Sequence, residues 1–124
     1  MTGVQTCALP ICQSKLANLL FSNALAERLA NSTITNNALH PGGVASDIYR
    51  ELPKPVYEIM KLGLVPTSVP AKLITEMAIG DSWANRNGEY VSAHMPDWKS
   101  SHAKNRQLAQ DLYEESMNLV EKYL

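Results

Sequence analysis

Two places in this sequence carry side chains whose type and spacing could do chemistry. The first is Ser14-Lys15, a hydroxyl and a cation in what reads as the opening turn of a helix. The second is His40-Pro41-Gly42-Gly43-Val44-Ala45-Ser46, where a strand stops at a proline and opens into a loop with two glycines. Proline cannot donate to a sheet ladder, and glycines let backbone pass close to something flat or charged. In open α/β sheets, ligands sit just beyond the carboxyl ends of strands, so this loop is a candidate ligand edge. On composition alone it reads better as a plain turn after a strand, and Lys15 alone reads as a solvated lysine. Cys7 and Cys12 are not spaced as Cys-x-x-Cys. His40, His94 and His102 are scattered, so no metal site is expected.

The elements that must position these residues follow from periodicity. Leu16, Leu19, Leu20 and Ala24 recur at three and four along residues 13–29, with alanines that favour helix and permit close approach of a neighbour. Asn31-Ser32-Thr33 ends that helix with turn formers; the triplet is also a glycosylation sequon, of a kind common by chance. A strand over residues 34–39 follows, with Asn36 where a buried parallel strand would carry an aliphatic residue. A short helix is expected from Asp47 to Leu52, broken by Pro53 and Pro55, and a second over residues 56–62, ending at Gly63. Tyr49, Tyr57, Ile59, Met60 and Leu64 in this region suit either a greasy ligand or packing onto the sheet. Thr67-Ser68-Val69-Pro70 predicts a helix start with a hydroxyl cap. Leu73, Ile74, Met77 and Ala78 form its core face, and Gly80 its end. Residues 85–88 read as a turn and residues 89–91 as a brief strand. Pro96-Asp97 opens the last segment, where Leu108, Leu112, Leu119 and Tyr123 predict a long amphipathic helix.

At 124 residues the chain is one domain's worth at most, and 45% hydrophobic content is ordinary for a globular protein. Eleven basic against twelve acidic residues give no reason to expect nucleic acid or an anionic membrane as partner. No apolar run approaches the ~18 residues of a membrane span, and no signal peptide is apparent.

Asn-Ala-Leu-His-Pro-Gly-x-Val-x-Ser, residues 37–46, resembles the sixth-strand motif of short-chain dehydrogenases/reductases, in the form used by their retinol-dehydrogenase-like branch. Ser14-Lys15-Leu16-Ala17-Asn18 resembles the segment of the same family that follows its catalytic tyrosine, and Leu112-Tyr113-Glu114-Glu115-Ser116 resembles a carboxyl-terminal motif of that branch. The resemblance covers residues 13–124. It implies an α/β fold: the carboxyl-terminal part of a Rossmann-type doubly wound parallel sheet, truncated, mostly helical with two short strands. It implies NAD or NADP as cofactor and a small, lipophilic alcohol or carbonyl as substrate. Lys15 takes the place of the lysine that lowers the tyrosine's pKa and bonds the nicotinamide ribose. Ile11 stands where the tyrosine would be. Pro41 and Gly42 would lie along the nicotinamide, Val44's backbone would meet the carboxamide, and Ser46 would bond carboxamide or pyrophosphate. Residues after Asp47 would form a substrate lid. The parent protein would be cytoplasmic or membrane-associated, and a homodimer through helix 13–29 would be in keeping with relatives.

The sequence has no Gly-x-x-x-Gly-x-Gly phosphate loop, no selector for NAD or NADP and no Asn-Asn-Ala-Gly. These belong to the first half of the family's fold. Residues 1–11 lack helical or strand period, and they resemble, residue for residue, the translation of a sequencing-library adapter read from a GTG start. Residues 1–12 are therefore expected to be an artefactual or disordered arm, and residues 13–124 the dehydrogenase portion, without catalysis of its own. The competing expectation is a non-catalytic helical adaptor that binds partners through its amphipathic helices. An adaptor has no need of Ser14-Lys15 at that distance from Pro41-Gly42, and the upstream reading frame discriminates between the two.

Overall fold

The computed structural model describes residues 5–45, 53–94, 96 and 99–124. Four helices and two strands follow in the order α1 (Gln5–Arg28), β1 (Ala38–His40), α2 (Lys54–Lys61), α3 (Ser68–Ile79), β2 (Tyr90–Ser92) and α4 (Arg106–Val120). The fold is mostly helical around a two-stranded parallel sheet, in which Ala38 faces Tyr90, Leu39 faces Val91 and His40 faces Ser92. A parallel pair needs a crossover, and α2 with α3 supplies it.

The core forms where α1 meets α4. Leu20, Ala24 and Ala109 are buried there, with Leu16, Leu112 and Tyr113 packed around them. Alanines at the centre let the two helix backbones approach, and larger side chains close the contact on either side. Phe21 stacks on Tyr113 with ring centroids 4.9 Å apart, and the Arg28 guanidinium lies 3.9 Å from the Tyr113 centroid. Asn105 caps α4, its side chain accepting from the Leu108 amide at 3.1 Å.

Several boundaries differ from the sequence expectation. Helix α1 starts at Gln5 rather than Gln13 and runs through Pro10. An internal proline costs a helix one amide donor, but a helix already propagating from both sides can span the gap. Residues 10–15 are all exposed, so this end of α1 adds little burial. Of the expected strand 34–39 only Ala38 and Leu39 pair, in a strand that runs one residue further to His40, and Asn36 makes its hydrogen bonds elsewhere. Its amide donates to Asn87 Oδ1 at 2.9 Å, its side chain donates to the Ser22 carbonyl and hydroxyl, both at 2.8 Å, and its carbonyl accepts from Gly88 at 2.9 Å. Asn36 therefore ties the approach to β1 onto the turn before β2 through its backbone and onto α1 through its side chain, and an aliphatic residue would lose the tie to α1. Thr67 precedes α3 as expected, but it has helical dihedrals and its hydroxyl makes no cap bond. The last helix begins at Arg106, well after Pro96. The expected helix from Asp47 to Leu52 lies outside the described residues.

Candidate functional site

A cleft of about 650 Å³ opens beside the carboxyl end of β1. One wall is α1, through Lys15, Leu16, Asn18 and Leu19. The floor is Ala38 to Pro41, and Tyr90, Lys99, Ser100 and Ala103 complete the rim. The walls are largely apolar, two ammonium groups belong to the lining, and no carboxylate does. The folding reason is local: α1 packs by Leu20 and Ala24 on α4, which leaves the turn carrying Lys15 beside the exit of β1. A smaller hollow of about 300 Å³ near the start of α4 holds none of the residues expected from sequence.

Lys15 and Pro41, 26 positions apart in sequence, thus line one cavity. Gly42 follows with φ of 79°, a left-handed conformation that glycine adopts freely. The loop then pairs with the chain ahead of α3: Val65 donates to the Gly43 carbonyl at 2.8 Å and Ala45 donates to the Val65 carbonyl at 2.9 Å. This parallel bridge turns the amide and carbonyl of Val44 away from Val65. Val44 does not line the cleft, and Ser46 lies outside the described residues. Ile11, one turn before Lys15, is 56% exposed on α1, and its carbonyl accepts from the Ser14 hydroxyl at 2.8 Å.

Sequence reasoning missed His40, Tyr90 and Lys99 as lining residues. Lys99 Nζ lies 5.7 Å from the Tyr90 ring centroid, within cation–π range. Nothing in the unpatterned stretch around Lys99 signals this placement. Tyr90 was readable only as a strand residue. Beneath the rim, the Arg86 side chain donates two hydrogen bonds to the Glu89 carboxylate and lies 3.7 Å from the Trp83 centroid. The hydrogen bond from Arg86 holds the Glu89 carboxyl below the usual carboxylate range, and the positive charges of Arg86 and Lys99 act in the same direction.

The Lys15 ammonium and the Pro41 ring in the lining suit the ribose hydroxyls and the flat ring of a nicotinamide nucleotide, whereas Gly42 and Val44 do not line the cleft. Among the described residues no group of three histidine, cysteine or acidic side chains could hold a metal, and no helix is long and apolar enough to cross a membrane.

The chain is 35% identical over 109 residues to "Retinol dehydrogenase 12" of Mus musculus, covering 86% of this chain and 34% of that protein. It is 31% identical over 117 residues to "Retinol dehydrogenase 13" of Mus musculus, covering 88% of this chain and 35% of that one. The chain belongs with the retinol-dehydrogenase-like short-chain dehydrogenases/reductases. "Retinol dehydrogenase 11" of Homo sapiens is a further member of this family, 29% identical over 114 residues. The chain spans about a third of the length of these curated relatives. No protein-family model and no solved structure matches it.

Proposed function

We propose that this chain is the carboxyl-terminal portion of an NAD- or NADP-dependent oxidoreductase that acts on a small, lipophilic alcohol or carbonyl. The observation that carries this reading is the convergence of Lys15 and Pro41 in one cleft beyond the carboxyl end of β1. When bound, the dinucleotide gives or takes a hydride. The chain's own groups would bind and orient: Lys15 the ribose, Pro41 and Gly42 the nicotinamide face, and Val44 and Ser46 the carboxamide. Leu16, Leu19 and Leu39 leave the cleft apolar, which suits a greasy substrate and excludes water from the reacting atoms.

The chain as written is proposed to be inactive, since Ile11 offers no proton one turn before Lys15. The adaptor alternative finds less support, because Leu16, Leu20 and Ala24 of α1 are spent on Ala109, Leu112 and Tyr113 of α4. A cytoplasmic or membrane-associated parent, and a dimer through residues 13–29, go with the dehydrogenase reading.

The test is to extend the reading frame upstream and express the extended polypeptide. The expected result is a tyrosine four residues before Lys15, a glycine-rich phosphate loop far earlier, and NAD- or NADP-linked turnover of aldehydes such as retinal. An extension without the tyrosine and the phosphate loop, or one that binds no dinucleotide, overturns the reading.

A further inference from the structure

The turn that carries Pro41 and Gly42 is closed by a side chain. The Gly42 amide donates to His40 Nδ1 at 2.9 Å. The carbonyl of His40, which in a β-turn would accept from the Gly43 amide, instead accepts from Ala93 at 3.0 Å as the chain leaves the sheet. The imidazole holds the turn through the Gly42 amide, one residue earlier.

That bond is conditional on charge. A neutral imidazole has one bare nitrogen and one N–H, and the Gly42 contact requires the bare nitrogen to be Nδ1, with the hydrogen on Nε2. An imidazolium carries hydrogen on both nitrogens, so the Gly42 N–H would then face another N–H. We propose that His40 is the positioning residue of the cleft's loop, a latch that is closed when neutral and released when His40 takes up a proton.

The surroundings support this. The described charged or titratable groups around His40 are Lys15 on α1, Tyr90 on β2, and Lys99, which share the cleft with it, and His94, whose Cβ lies beside Gly42. None is an acid that would hold a charged imidazole in place. Downstream, the Gly43–Val65 and Ala45–Val65 hydrogen bonds pin the loop's other end without any titrating group. Release of the latch therefore frees Pro41 and Gly42 while the bridge to Val65 persists. The latch stands on this geometry, and its effect on a bound nucleotide rests on the function proposed above.

The experiment follows the Gly42 amide of the extended polypeptide by NMR hydrogen exchange from pH 5 to 8, the range over which histidine ordinarily changes charge. The ¹⁵N shifts of the His40 ring are read in the same samples. After correction for intrinsic exchange, Gly42 is expected to exchange about fivefold faster when His40 is protonated, the loss of one ordinary hydrogen bond. Its transition should coincide with the ring's. His40→Asn supplies a side-chain oxygen that accepts the same amide without titrating, so protection should persist at every pH. His40→Phe should lack it at every pH. A Gly42 amide that ignores the ring's titration, or that is as protected in His40→Phe as in the native protein, overturns the latch. A KM for the dinucleotide that rises at acid pH in the native protein, with kcat moved less, and that is flat in His40→Asn, supports the link to binding. If exchange follows the ring while KM does not, the latch holds and only its link to nucleotide binding fails.

Discussion

Ile11 stands one helical turn before Lys15 on an exposed stretch of α1, and its side chain has no proton to give. General acid–base help of the kind a phenol supplies is typically worth ~10²–10⁴ in rate, and on the function proposed above the chain also has no glycine-rich phosphate loop to position a dinucleotide. The 124-residue chain is therefore expected to show background only with NADH or NADPH and retinal-like aldehydes. Turnover clearly above a denatured control would refute this. A second residue-scale prediction concerns Glu89, whose carboxyl is held low by the Arg86 hydrogen bonds. A carboxyl with a depressed native pKa contributes stability above its unfolded value, and that contribution disappears as pH falls through the native value. In the extended polypeptide, Glu89→Gln should lower stability at neutral pH and leave it nearly unchanged in strong acid. Both partners are more than a third exposed, so the difference should be small and should shrink in salt. Chemical denaturation at two pH values reads it, and an equal loss at both would remove the ion pair as the cause.

At the scale of elements, Asn36 and Asn37 show why the strand expected at residues 34–39 is cut short. Only Ala38–His40 joins the sheet, and the two asparagines bracket its entry. Asn37 donates to the Arg86 carbonyl at 2.8 Å and accepts from the Glu89 amide at 2.9 Å, while Asn87 donates to the Ala26 carbonyl at 2.8 Å. These bonds reach across about fifty positions of sequence, so no local window contains them. Asn36→Val restores the residue type a buried strand would prefer and strands the Ser22 carbonyl and hydroxyl, while the backbone bond to Asn87 is kept. The expected loss is about 1–3 kcal/mol, measured as a lowered denaturation midpoint of the extended polypeptide; a neutral or stabilising result would mean that water satisfies those groups equally well. What was legible followed short-range rules: the leucine spacing of α1, the turn before β2, and the proline-glycine exit of β1. The core face expected of α3 was not, since Ile74 and Ala78 are exposed and only Pro70 of that helix is buried. Helix starts were less legible, since Pro10 does not end α1 and the stretch before α4 has no period. Of the cleft lining, Lys15 and Pro41 were singled out through the family resemblance, since alone they read as a solvated lysine and a turn. Tyr90 and Lys99 reach the cleft only through tertiary packing.

At the scale of the whole molecule, the chain is too open for its mass. Its accessible surface is 9619 Å² at 13.7 kDa, whereas the scaling for folded monomers gives roughly 6,600 Å². The excess has an address. β1 pairs only with β2 among the described residues, so one edge of each strand is bare. Along that side a hollow of about 350 Å³ runs between residues 35–39 and Ile74, Met77 and Ala78 of α3. Ile74 is 53% exposed, Ile79 80% and Leu119 66%. Leu20 keeps its cover because α1 and α4 pack on one another, but among the described residues α3 has no comparable helix against it. Each large apolar side chain left in water forfeits roughly 1.5–3 kcal/mol, and a whole domain's margin is only ~5–15 kcal/mol. A few such residues consume that margin, and a bare parallel edge invites pairing with other chains. The isolated 124-residue chain is accordingly expected to be partly molten or to aggregate, with the α1–α4 pair its most persistent part. The extended polypeptide should be soluble and melt cooperatively. Dispersed amide resonances and a cooperative thermal transition from a soluble monomer of the isolated chain would show that its two strands and four helices suffice, and would remove the exposed face of α3 as the mark of a missing layer.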